Sequence, residues 1–216
     1  MDGAGCEKNQ EEAFSWLKKA AEQGYAAAEF SLGLCYEKGT GTATDSKLAA
    51  TWYAKAAAQE LPQAWAALGS CYLHGTGIGQ DFLEARRLLR QAAQTGHLGA
   101  QVDLAMIYLE GKGVAKDYVE AGEWLLPAAH SGQPAAQATL GEILQSGFGV
   151  RPDLVESWKW FALAVSGGLE AANELLGQVG GRLSPEELQE AQRRVTEFQT
   201  QPMSDTHKFI GAEMRR

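Results

Sequence analysis

The sequence predicts an all-α solenoid of helical hairpins, and three sets of positions carry that prediction. Leu32, Leu68, Leu104, Leu140 and Leu176 stand 36 residues apart along the 216-residue chain. The glycine pairs Gly39/Gly41, Gly75/Gly77, Gly111/Gly113 and Gly147/Gly149 follow at the same interval, as turns between helices require. Asn9, Asp45, Asp81, Asp117 and Asp153, all helix-capping residue types, fill a third register. A fixed period of this size is the mark of a repeat fold in which each unit packs on its neighbours.

Taken in order, the first element is a second helix without its hairpin partner. Asn9 starts it, Glu12 stands in the reciprocal place of a capping box, and Gly24 ends it. Gly3 and Gly5 lie one period before Gly39 and Gly41, so the sequence opens inside a repeat loop. Its start reads as a domain boundary, with any targeting signal lying upstream. Phe14 and Leu17 are then expected to be partly bare. Residues 1–25 are a partial repeat, and 26–168 are four complete ones.

The third complete repeat shows the physics. Ala100, Leu104 and Tyr108, with Ala105 and Ile107, make one apolar helical face. Gly33, Gly69 and Gly141 share the register of Ala105, where a small residue lets the neighbouring helix come close. Gly111 and Gly113 turn the chain, and Asp117 with Glu120 opens the second helix. Asp81 with Glu84 and Asp153 with Glu156 repeat that pairing, whereas Asp45 has Leu48 in the reciprocal place. Ala121, Trp124, Leu125, Ala128 and Ala129 are expected to face the first helix, and Gly132 ends the element. The register of Trp16, Trp52, Leu88, Trp124 and Trp160 reads as a buried ladder.

Residues 169–200 are expected to hold a partial repeat and a capping helix. Ala172, Leu176 and Gly177 begin a fifth first helix, which Val179-Gly180-Gly181 breaks. Ser184-Pro185-Glu186-Glu187 then starts a helix whose apolar face is Leu188, Ala191, Val195 and Phe198. Residues 201–216 show no period and read as a loosely held tail. About eleven helices and no strand follow from this reading.

A net charge of -8 without a basic run argues against nucleic-acid binding. No stretch nears the ~18 apolar residues of a membrane span, and Met1-Asp2-Gly3-Ala4-Gly5 has neither the basic start nor the apolar core of a signal peptide. Cys35 and Cys71 share a register that Ile107 and Ile143 fill later. Stacked equivalents sit roughly 9–10 Å apart, too far for a disulfide, so both are expected as buried free thiols. Such thiols suit a reducing compartment, cytoplasmic rather than periplasmic. His74, His97, His130 and His207 show no metal-ligand spacing, and no metal or cofactor is expected.

The motifs A-x-x-x-L-G-x-x-Y-x-x-G-x-G, D-x-x-x-A-x-x-W and K-A-A-x-x-G, as in Ala28–Gly39, Lys55-Ala56-Ala57 and Lys19–Gly24, resemble the Sel1-like repeat (SLR) family, a relative of the tetratricopeptide repeat. The resemblance covers roughly residues 3 to 177, and Leu183–Glu187 is similar to a common bacterial terminus of such proteins. It implies an α/α right-handed superhelical solenoid and a scaffold or adaptor role in protein–protein interaction. Extracellular relatives that staple each repeat with a cysteine pair differ from this chain.

By analogy with the tetratricopeptide architecture, first helices line a concave face. The candidate partner-binding residues there are Phe30, Leu34, Glu37, Lys38, Ser70, Leu73, His74, Val102, Met106, Leu109, Glu110 and Glu142. Six of them are apolar where packing does not require it, which suggests either residues packed across the superhelix or a groove for a peptide or helix. The protein is expected to be a monomer that binds a protein or peptide partner. An enzyme using a concave-face pocket is the alternative. The periodic acids are accounted for as caps, however, and His74 near Glu37 or Glu110 is a weak candidate base. The one near-match to an acylating S-x-x-K, Ser15-Trp16-Leu17-Lys18, lies on a second helix. No catalytic residue is assigned.

Overall fold

The structure is a computed structural model that describes residues 9–200; the expected loop glycines Gly3 and Gly5, Cys6, His207 and the tail 201–216 lie outside them. The described residues form eleven α-helices and no strand. They are paired as hairpins in an all-α solenoid, and they group into two compact units, Met1–Ala100 and Gln101–Arg216. The first unit holds α1 (Gln10–Glu22), α2 (Ala26–Lys38), α3 (Ser46–Ala58), α4 (Pro62–His74), α5 (Phe82–Gln94) and the start of α6 (Leu98–Glu110). The second holds the rest of α6, then α7 (Tyr118–His130), α8 (Pro134–Ser146), α9 (Leu154–Ser166), α10 (Ala172–Gly180) and α11 (Pro185–Thr200).

The helix ends follow the sequence with one informative difference. Gly39, Gly75 and Gly147 close first helices at φ 72°, 70° and 69°, a left-handed conformation that costs glycine little. Asp45, Asp81, Asp117 and Asp153 cap the second helices: the carboxylates accept from Leu48 N at 3.0 Å, Glu84 N at 3.1 Å, Glu120 N at 2.9 Å and Glu156 N at 2.8 Å. The expected reciprocal bonds are absent. The backbone N–H of each cap instead donates across the loop, Asp45 to Tyr36 O (2.8 Å), Asp81 to Tyr72 O (3.0 Å), Asp117 to Tyr108 O (3.0 Å) and Asp153 to Leu144 O (3.1 Å). This bond ties the end of each first helix to the start of its second and releases the glutamates for other contacts. Glu84 pairs with Arg87 (2.5 Å), and Glu120 accepts from Trp124 Nε1 (3.1 Å). Among the described residues α11 shows the full box, with Ser184 N donating to Glu187 Oε2 at 2.8 Å and Glu187 N to Ser184 Oγ at 3.2 Å.

The tryptophan register is not the buried ladder. Trp16 is 62% exposed and Trp52 and Trp124 are half-buried, while Leu88 and Trp160, both at 2%, are covered. The ladder is the next register along, where Tyr53, Leu89, Leu125 and Phe161 are all buried and Leu17 is half-buried. These side chains face the small register of the first helices. A Cβ on Gly33 would lie 2.5 Å from Tyr53 Cε1, one on Gly69 2.8 Å from Leu89 Cγ, and one on Gly141 2.8 Å from Phe161 Cε1. The helices touch there closely enough that even a methyl group does not fit. Trp16, by contrast, points outward with the Lys19 ammonium 4.4 Å above its ring, and Trp52 carries Lys55 at 3.7 Å.

Within the first unit, each loop leaving a first helix rests on the preceding second helix. A Cβ on Gly41 would fall 2.1 Å from Gln10 O, at the start of α1, and one on Gly77 2.0 Å from Ser46 O, at the start of α3. In the second unit the loop glycine Gly149 sits against Val119 in the same manner. Phe14 is half-buried, with its ring edge-on to Tyr36 at 5.4 Å. Cys35 and Cys71 are buried and unpaired, as the spacing implies. Burial pushes both thiols up, Cys71 to about 11.

In the second unit α11 packs on α9, with Ala191 fully buried. Arg194 Nη1 reaches Glu156 Oε2 at 2.9 Å and Asp153 Oδ2 at 4.0 Å, and Glu156 also pairs with Lys159. The Phe198 ring lies 5.4 Å from Trp160 and 5.2 Å from His130 of α7. This contact covers Trp160, whereas Trp16, Trp52 and Trp124 are more open.

Candidate functional site

In the first unit, α2 and α4 hold half of the expected surface; Leu73 lies in the core, and Phe30 and Leu34 pack against it. Leu73 is 2% exposed and forms part of the packed interior. Phe30 lies with its ring 5.6 Å from Tyr53, and Phe30 and Leu34 both pack on the core around Ala50, Tyr53 and Leu68. Glu37 is exposed but engaged: the Tyr53 hydroxyl donates to its Oε2 at 2.7 Å. Burial first, and then this carboxylate, push the Tyr53 phenol well above its ordinary range, so it remains a donor. Glu37 therefore orients Tyr53, and the pairing with His74 that a base would want is not formed. Lys38 and His74 are exposed and Ser70 is half-buried.

In the second unit, Met106 of α6 is exposed at 38%, whereas Val102 and Leu109 are half-buried. Glu110 is exposed and pairs with Lys112 at 2.6 Å. Glu142 of α8 is exposed, yet its carboxyl is pushed above the usual range by partial desolvation. Of the two readings of Phe30, Leu34, Leu73, Val102, Met106 and Leu109, packing or a groove, packing fits Leu73, which is interior; Phe30 and Leu34 are half-buried with one side against the core, and Met106 alone of the six is openly exposed.

The more open stripe is set by helical geometry. In α2 it runs through Ala27, Ser31, Leu34 and Lys38, spaced four, three and four, and in α4 through Gln63, Ala67, Ser70 and His74; Leu34 and Ala67 are half-buried, with one side against the core. The same positions in the second unit are Asp103, Met106 and Glu110 on α6, and Ala135, Thr139, Glu142 and Ser146 on α8. Phe30 and Leu73 lie beside this stripe, on the boundary with the core, which the spacing alone could have shown. Among the described residues no group of three His, Cys, Asp or Glu side chains could hold a metal ion, and no helix is long and apolar enough to cross a membrane.

Comparison with known proteins follows the same repeat boundaries. The Sel1 repeat pattern matches residues 1–25, 26–61, 62–97, 99–133 and 134–169. No curated protein sequence matches the chain. Among solved structures, c5321, a protective antigen of uropathogenic Escherichia coli strains displaying an SLR fold, is 34% identical with a TM-score of 0.79. The match covers 91% of this chain and 42% of that one, so this chain spans less than half of the antigen's length. A Sel1 repeat protein from Oxalobacter formigenes is 33% identical with a TM-score of 0.73, over 94% of this chain and 81% of that one. A Klebsiella pneumoniae sel1 repeat protein at 23% identity and a TM-score of 0.50, over 79% of this chain and 85% of that one, shares the fold. With the repeat pattern spanning most of its length and bacterial relatives above 30% identity, the chain belongs to the Sel1 repeat family.

Proposed function

We propose that the protein is an interaction scaffold that binds a peptide or protein segment on the outward faces of its first helices. The Sel1 and tetratricopeptide folds generally mediate protein–protein contacts, and one observation ties that role to this surface. The register Leu32, Leu68, Leu104, Leu140 is the same residue four times and is buried each time. Two positions on, Leu34, Ser70, Met106 and Glu142 differ in size, polarity and charge. Packing that fixes the first register places no such demand on the second, so the identities there are available for recognition. Within this reading the finer contacts fall to Leu34, Lys38, Ser70 and His74 in the first unit and to Met106, Glu110 and Glu142 in the second. The reading extends to a monomer in a reducing compartment, supported by the two buried, unpaired thiols.

A photo-crosslinking amino acid placed at Ser70 or Met106, against one at the exposed Ala54 of α3, tests the reading. Adducts from Ser70 and Met106 but not from Ala54 are expected. Adducts from Ala54 alone would move the binding surface to the second helices and refute it.

A further inference from the structure

We propose that α11 is an acid-sensitive latch: protonation of His130 drives it off α9 and α7. The repeat itself supplies the first argument. Glu22, Ala58, Gln94 and Ser166 occupy the register of His130 in the other second helices, and all are exposed. In the register of Lys159, Ser15, Thr51 and Arg87 are exposed as well, and Glu123 is half-buried. In the second unit these outward positions hold an imidazole and an ammonium, and Phe198 of α11 closes over them. Docking of α11 therefore covers titratable groups at positions that most other repeats leave exposed. Undocking returns them to water.

The groups around the imidazole set the direction. From α9, Glu156 and Lys159 face it; Lys159 Nζ stands 4.2 Å from the Trp160 ring centroid and 5.5 Å from that of Phe198. From α11, Arg194 enters the cluster and holds both Glu156 and Glu190, each at 2.9 Å, with Asp153 at 4.0 Å. On α7 itself, Glu123 lies two turns back. Glu156 is thus already shared between two cations, while the imidazole meets the ammonium without a carboxylate of its own. Its Nδ1 is buried and has no hydrogen-bond partner among the described residues. The ring is instead edge-on to Trp160, at 5.4 Å, and tilted against Phe198.

A proton added here puts a third cation beside Lys159 and Arg194 in a partly desolvated pocket. Burial and then Lys159 hold His130 down at about 4, with Glu156 pulling the other way, against an ordinary 6.5. Between those two values the released state carries a proton that the docked state lacks, so acidification favours release. Below about 4 both states hold it, and the effect saturates.

Hydrogen exchange of the full chain tests this, with the opening of α11 referred to that of α3 at each pH. The opening constant of α11 is expected to rise about twentyfold from about pH 7 to about pH 5, and His130→Gln is expected to flatten that rise. Proton NMR titration supplies a second readout: the His130 imidazole should titrate well below 6.5 in the wild type and return toward it in Phe198→Ala. An α11 opening that ignores pH, a pH response that survives in His130→Gln, or a wild-type His130 titrating at its ordinary value would each overturn the proposal. If His130→Gln itself undocks α11, the titration in the wild type and in Phe198→Ala decides.

Discussion

Exchanging Gly141 for alanine should destabilise the second unit, and shrinking Phe161 should restore it. A Cβ at position 141 would lie 2.8 Å from Phe161 Cε1 and 2.9 Å from both Cδ1 and Cζ. The ring has nowhere to retreat, being fully buried among Ala138, Ala164, Ala172 and Val179. Overpacking of this kind costs about 1–3 kcal/mol. Alanine returns about 1 kcal/mol through its better helix propensity, which leaves a net loss of up to about 2 kcal/mol. Phe161→Leu alone loses buried apolar volume and should also cost about 1–3 kcal/mol. Together the two changes reproduce a pair the chain already uses, Ala105 with Leu125, both buried in the same registers one repeat earlier. The double variant relieves the overpacking and is therefore expected to be more stable than the sum of the single losses by about 1–3 kcal/mol. Urea unfolding with an unchanged m-value measures the cycle. Strict additivity would mean that the two side chains do not meet as described.

Leu73→Ala should lose about 2–5 kcal/mol, as an interior leucine does, while Met106→Ala should stay within about 0.5 kcal/mol of wild type; thermal melts of equal midpoint would contradict both assignments. Tyr53→Phe removes the bond to Glu37 and should cost about 1 kcal/mol, a loss that Glu37→Gln should partly share because its amide oxygen still accepts. Cys35 and Cys71 should resist an aromatic disulfide reagent at about pH 8 in the native protein and react when it is denatured, since burial keeps both thiols protonated. Mass spectrometry of the two peptides checks this, and native-state labelling at the denatured rate would refute it.

The hairpins, their caps and their glycine turns were legible because many registers had to agree at once. The tryptophans misled because two adjacent positions of the second helix are both large and apolar, and a period cannot say which of them faces the partner helix. The small register of the first helix held the answer: Gly33 and Gly141 stand opposite the bulky rings of Tyr53 and Phe161, and Ala105 shares its hairpin with Leu125. A residue that must vanish to make room identifies the one that needs the room. The interaction face was half legible. Lys38, His74, Met106 and Glu110 follow from helical spacing, but Leu73 lies one residue before His74 and turns inward. Glu37 was legible as an acid but not as the acceptor for Tyr53, because that contact joins two helices. The α11 contacts were out of reach for the same reason: His130, Lys159 and Phe198 come from three helices and share no register.

The loops that rest on the preceding second helix constrain how this chain can change its length. Gly41 and Gly77 sit where even a methyl group would strike the backbone at the start of α1 and α3, so these turns have no slack to absorb added residues. An insertion or deletion of a few residues at either turn would disturb its own hairpin and also the helix start beneath it. Removal of one whole period, by contrast, brings an equivalent glycine over an equivalent helix start. Shortening or lengthening by 36 residues is the change such a chain tolerates.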